Sequence, residues 1–347
     1  MGKSYGTKVA GAMAAGYYSI LSMTIIAWVF LGRVGLGDWN NYRAIYDLDG
    51  GYLAQQGRDP LFVWLNGQAF HIFRGDGYEI FRLVLFAVFA SVAVVAAFCG
   101  VLNGSGVATS VIIVLDAFLL KSLVQTREGV AFVVALVPLM FLICGRKGNV
   151  LMAATGAAIA ILIHLGTFIF LITWVLALGL WIVPGRVLRS RSFSGCVTLI
   201  STLAGIITGF LIRYNAQTFE GVLGDIGVTA SQPVTINFLK FVYWILVGVA
   251  VAVIRLQLVS DNRPHKLEYT YGQTLAAGML PFAYAVCTEI IFTKVEYAAV
   301  AAIAIRILLG VIELSLLIVL LRGRANALTG LVGIGLFVDQ VRLLLIS

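Results

Sequence analysis

The stretch SLVQTREGVAF, residues 122–132, sets Arg127 beside Glu128 between two long apolar runs. An arginine there can bind phosphate oxygens through two parallel hydrogen bonds and never loses its charge. His164 stands at the end of another apolar run, where an imidazole that exchanges protons near neutrality can serve as general base or assist a leaving group. Arg306 lies about two helical turns inside a late apolar run, and Arg213 at the edge of an earlier one. Asp38 is the best-placed carboxylate of a polar segment that also holds Trp39, Tyr42 and Tyr46. Each residue has a plainer role beside the chemical one. Arg127 can anchor a helix end or pair with Glu128, and Arg306 can be neutralised by Asp116 or Glu289. His164 can cap carbonyls, Arg213 can snorkel to a headgroup, and Asp38 can shape a turn after Gly37. The Asp47-x-Asp49 pattern before Gly50-Gly51 reads as a turn in preference to a metal site, so no metal is expected.

The elements that must position these groups are set by composition. Hydrophobic residues make up 61% of the 347, charged residues only 12%, and the mean hydropathy is +0.99. That excludes a soluble globular domain. Apolar runs near the roughly 20 residues that span a bilayer recur along the whole chain. They fall near 9–31, 80–101, 106–124, 129–144, 149–164, 166–183, 195–212, 238–257, 271–292, 298–321 and 325–345. The expected fold is an all-α polytopic membrane protein of about eleven transmembrane helices, residues 1–347 forming a single integral membrane domain. The first run exceeds a signal-peptide core and is read as a span.

Basic residues collect in cytoplasmic loops. With the N-terminus inside, the inner segments carry Lys3, Lys8, Arg146, Lys147, Arg186, Arg189, Arg191, Arg255, Arg263, Lys266, Arg322 and Arg324, half of the 24 basic residues. Only Asp261 and Glu268 of the 16 acids lie with them. The net charge of +8 is therefore a basic cytoplasmic rim, and nucleic acid is not an expected partner. The same orientation puts Arg127, Glu128, His164 and Arg213 at the outer face. Residues 32–79 become an extracytoplasmic loop, whose apolar part at 61–73 is too short to span and suits an interfacial helix, with Asp59 as N-cap, Pro60 at its first position, and Trp64 and Phe70 facing the bilayer. Cys99, Cys144, Cys196 and Cys287 lack CxxC spacing and read as small core residues. Asp116 and Glu313 fall inside spans and call for an inward-facing network or a wet cavity.

Taken in order, GDWNNYRAIY, RDPLFVWLN, DGYEIFRL, VQTREGVAF and ILIHLGTFIF resemble the EpsG family, the Wzy-like polymerases of bacterial exopolysaccharide and O-antigen. The likeness covers roughly residues 30–175 and rests on Asp38 and Tyr42, Asp59 and Pro60, Arg127, Gly129 and Ala131, and Ala160 and His164, with Arg306 agreeing later. Glu128, where the family often has a neutral polar residue, and Leu165 after the histidine depart from the pattern.

The resemblance implies a GT-C-like glycosyltransferase of the bacterial cytoplasmic membrane, metal-independent and without cofactor. It would polymerise undecaprenyl-pyrophosphate-linked repeat units at the outer face. Its expected partners are the lipid-linked donor and acceptor, the bilayer, a flippase and a chain-length regulator. Arg127, His164, Arg306 and Asp38 are then the expected catalytic residues, and Tyr42, Tyr46, Asp59, Glu128 and Arg213 the expected substrate contacts. A single-step polyprenyl-dependent transferase or O-antigen ligase would share nearly all of this chemistry. A transporter or flippase is the rival class, which the lack of an internal repeat disfavours.

Overall fold

The computed structural model describes residues 2–31, 39–47, 59–74, 77–123, 125–144, 150–215, 218, 238–259, 266–292 and 298–346. Every regular element among them is helical. Seven helices are long and apolar enough to cross a membrane, and three shorter apolar helices accompany them among the described residues. The chain is thus an all-α protein with the make-up of a multi-pass membrane protein.

Two compact units emerge, residues 1–171 with 316–347, and residues 172–315. In the first, α1 (Gly2–Leu31) packs on α4 (Gly77–Asn103) and α5 (Val107–Leu123), reached after α2 (Trp39–Asp47) and α3 (Pro60–Phe73). Next come α6 (Thr126–Cys144) and α7 (Val150–Ile163), packed together as an antiparallel pair, and a 3-10 turn at Leu165–Thr167 that leads into α8 (Phe168–Trp181). Pro138 lies within α6 and denies the Val134 carbonyl its intrahelical donor. Gly156 of α7 comes so near that an added Cβ would sit 2.8 Å from that oxygen. The two helices therefore approach where Pro138 interrupts the internal bonding of α6.

The same unit takes in the end of α14 (Ala298–Leu321) and α15 (Ala327–Ile346), which packs on α5. Asn103 Nδ2 donates to Leu321 O at 2.6 Å and Ser105 Oγ to Leu320 O at 3.1 Å. Gly323, at φ 68°, lies so close to Asn103 that no Cβ fits.

In the second unit, α9 (Gly185–Leu188) turns the chain into α10 (Arg191–Tyr214), capped by Ser190 Oγ accepting from Phe193 N–H at 3.1 Å. Then follow α11 (Phe238–Val259) and a long helical run, α12 (Lys266–Gln273) and α13 (Leu280–Phe292), joined by a π-helical stretch, Thr274–Met279. α10 packs along α13, with Gly205 and Gly209 admitting the Phe282 carbonyl and the Glu289 side chain.

The 14-residue α3 agrees with the expected short helix, but its faces differ. Trp64 is exposed, whereas Phe70 turns inward against Tyr46. Of the cysteines expected in the core, Cys287 is buried and Cys99 half-buried, but Cys196, on α10, is exposed.

Candidate functional site

Asp59 immediately precedes α3 in the left-handed region, at φ 48° and ψ 54°, which aspartate tolerates better than most residues. Its backbone carbonyl starts the helix by accepting from Phe62 N–H at 3.0 Å and Val63 N–H at 3.1 Å. Its side chain does not take the expected capping role. The carboxylate points away from α3, toward two other helices.

Oδ2 of Asp59 lies 2.7 Å from Arg127 Nη1 and 3.9 Å from His164 Nδ1, and Oδ1 accepts from Leu165 N–H at 3.2 Å. The carboxylate side chain is 4% exposed, against 18% for Arg127 and 21% for His164, so the anion is enclosed while its partners keep an outer edge. Burial alone would raise the Asp59 carboxyl. The His164 ring, the Arg127 guanidinium and the Leu165 N–H outweigh burial and hold it below the ordinary carboxylate value. Asp59 is an anion at neutral pH.

Arg127 is aimed by the crossing of α5 and α6. A Cβ on Gly129 would stand 2.6 Å from the Lys121 carbonyl and 3.0 Å from Phe89, so only glycine lets the start of α6 pass the end of α5. Its neighbour Glu128 does not pair with it. Glu128 Oε1 instead lies 3.7 Å from Nζ of the buried Lys121, which also sits 4.9 Å from the Phe132 ring centre. The adjacent opposite charges thus serve different partners. With Nη1 held by Asp59, Arg127 keeps its Nε buried and without a hydrogen-bond partner.

His164 occupies the corner between α7 and the 3-10 turn, in an extended conformation at φ −156° and ψ 117°. The corner is fastened on both sides. His164 N–H donates to Ala160 O at 2.8 Å, and its carbonyl accepts from Thr167 N–H at 3.0 Å and Thr167 Oγ1 at 2.7 Å. Gly166 lies under the imidazole, where a Cβ would be 2.7 Å from Nε2. Nδ1 is buried 3.9 Å from Asp59 Oδ2 with no hydrogen-bond partner, and Nε2 lies on the side of Gly166.

The structure brings Asp59, Arg127 and His164 together, with Glu128 one residue away. Tyr42 and Tyr46 are buried. Tyr42 lies edge-on to Phe62, while Tyr46 packs among Phe70, Tyr78 and Phe81 and donates to Ala69 O at 3.4 Å. Their rings fasten α2 to α3 and α4. Burial, helped by Asp47, pushes the Tyr46 phenol up, so its hydroxyl stays a donor.

Arg306 is exposed on the part of α14 in the second unit, and Arg213 is exposed in the last turn of α10. Asp38 and Asp49 lie outside the described residues, and the exposed Asp47 lies 3.7 Å from Arg43. Asp116 and Glu313 are buried in α5 and α14. Among the described residues no cluster of three or more His, Cys, Asp or Glu could hold a metal ion.

Sequence reasoning missed Leu165 N–H, Lys121, Gly166 and Asn66. Asn66, within α3, is 1% exposed and has no hydrogen-bond partner for either side-chain atom. An isolated asparagine in an apolar 14-mer was the available signal for it.

No family model, no curated protein and no solved structure matches this chain.

Proposed function

We propose that the chain is a membrane glycosyltransferase that joins lipid-linked oligosaccharide units, polymerising undecaprenyl-pyrophosphate-linked repeats at the outer face of a bacterial cytoplasmic membrane. The observation that carries this reading is the convergence of Arg127 and His164 on the buried Asp59 carboxylate. An acid, an imidazole and a fixed cation at one place are what displacement of a pyrophosphate by a sugar hydroxyl requires. The motif likeness around Asp59, Arg127 and His164 supplies the substrate class.

In this reading the Asp59 anion stabilises the His164 ring when it is protonated, the electrostatic share of what a carboxylate does behind a catalytic histidine. The acceptor hydroxyl loses its proton to His164 Nε2 as its oxygen attacks the anomeric carbon of the donor. The bond from that carbon to the pyrophosphate oxygen breaks, and its electron pair leaves with the lipid pyrophosphate. Arg127 receives the developing charge through the nitrogens that Asp59 does not hold. Removing a phosphate ester from carbon in this way calls for cations and a base but no redox group. Asp38 keeps the catalytic role expected of it from the sequence. The N-terminus is cytoplasmic in this arrangement, and the bundle is of the GT-C kind.

Purified protein incubated with lipid-linked repeat units and followed by mass spectrometry tests the reading. A ladder of repeat multiples is the expected product. A single addition would make the chain a ligase or single-step transferase. No glycosidic product, with lipid-linked sugar instead moved across vesicles, would make it a transporter.

A further inference from the structure

A cleft of about 350 Å³ runs between α10, α11 and α13 in the second unit. Its walls are apolar in effect although they include threonines. Thr198 Oγ1 donates to Ser194 O at 2.8 Å, Thr202 Oγ1 to Thr198 O at 2.8 Å, and Thr288 Oγ1 to Tyr284 O at 2.7 Å. Each hydroxyl is thereby turned to its own helix. Tyr284 stacks on Trp244 at 5.3 Å and donates to its carbonyl at 3.3 Å. The cleft is open on one side, where Ile206 and Ala252 stay exposed.

One group does not fit an apolar wall. Arg255 donates Nη2 to Thr198 Oγ1 at 2.9 Å, yet its Nε is buried without a hydrogen-bond partner. Among the described residues no carboxylate lies within ion-pair distance of it; Glu289 also lines the cleft and has a partner of its own. A half-buried guanidinium whose Nε is left unbonded is costly in a low-dielectric setting. Arg255 stands one turn before the end of α11, in a helix long and apolar enough to span, and so at the depth of lipid headgroups.

We infer that this cleft binds one anionic glycerophospholipid, its phosphate on Arg255 and one acyl chain along the groove. The unbonded Nε of Arg255 selects a phosphate oxygen, Glu289 having a partner of its own, and the apolar, side-open walls select a lipid over a free ion. The volume lies at the low end of the roughly 300–1,000 Å³ of small-molecule sites, room for one short hydrocarbon chain and not for a long polyprenyl tail. The site belongs to the second unit and is independent of the glycosyl-transfer reading.

Native mass spectrometry of the full chain in detergent, after incubation with phosphatidylglycerol, phosphatidylcholine or undecaprenyl phosphate, tests the assignment. Wild type should retain one phosphatidylglycerol and no phosphatidylcholine. Arg255→Gln should weaken that retention at least about tenfold, the usual worth of a charge-assisted contact. Ala252→Trp should weaken it as strongly with the guanidinium intact, because the indole fills the groove. Equal retention of phosphatidylglycerol by wild type and both variants would overturn the proposal. So would equal retention of phosphatidylcholine, or displacement of phosphatidylglycerol by undecaprenyl phosphate.

Discussion

Arg127 can be a clamp for phosphate or a staple that holds α3 against α6, and the two roles respond differently to lysine. Lysine keeps the charge and loses the fork, so a staple tolerates it and a bidentate contact does not. We expect Arg127→Lys to insert and melt like wild type but to polymerise at least about tenfold more slowly, measured on lipid-linked repeat units. Asp59 gives a second test at this scale. Its carboxyl titrates below the ordinary value of 3.8 in the folded state, so the native protein binds fewer protons than the unfolded chain as the pH falls toward that value. Its contribution is present in full above about pH 4 and is lost as the pH falls through the folded value. Asp59→Asn should therefore lower stability on the order of 2 kcal/mol at neutral pH. The gap between the two melting curves should narrow and then close as the pH falls below the ordinary carboxylate value and through the lower folded one. A gap that persists there would mean that the asparagine, not the missing charge, is responsible. Arg127 and His164 could be read as reactive from residue type and neighbouring motif. Their meeting on Asp59 could not, because the acid looks like a helix cap in sequence and only the left-handed turn at that residue directs its carboxylate elsewhere.

At the scale of elements, two glycines separate folding from chemistry. Gly129 faces a backbone carbonyl that cannot move aside, at 2.6 Å from an added Cβ, so Gly129→Ala should cost about 1–3 kcal/mol and lower both yield and melting temperature. Gly166 faces the far end of a side chain, His164 Nε2 at 2.7 Å. Gly166→Ala should therefore leave the melting temperature within a few degrees of wild type while cutting turnover severely, since the imidazole must swing away. Equal turnover in Gly166→Ala and wild type would remove His164 from the reaction. The sequence announced Gly129 through its motif. Gly166 carried no such signal, because its neighbour in space is the residue two positions earlier, folded back over it by the 3-10 turn.

For the molecule as a whole, hydropathy was a good guide to where helices lie, since each expected apolar run falls on a described helix. Their ends were less visible: α1 starts at Gly2 where the apolar run starts near residue 9, because polar residues can extend a helix beyond the oil. The division into two units was not visible at all, since both are built of the same kind of apolar helix. Orientation is open to direct measurement. In a chain cleared of its native cysteines, Gln55→Cys should react with an impermeant thiol reagent from outside, and Arg189→Cys and Arg324→Cys only after permeabilisation. The reverse pattern would place Arg127 and His164 on the cytoplasmic side and end the case for an extracytoplasmic polymerase.

The fastening of Asn103 and Ser105 to the Leu320–Leu321 carbonyls has a consequence for how the protein is made. Residues 316–347 belong with the first 171, yet they leave the ribosome after the whole of 172–315. Through most of synthesis α5 therefore waits in the membrane without α15, and the turn at Asn103 lacks the carbonyls it will bond. The first unit closes only when the last helices arrive. Chains truncated before residue 316 should accordingly be degraded as orphans even though every residue of the Asp59–Arg127–His164 cluster has been made.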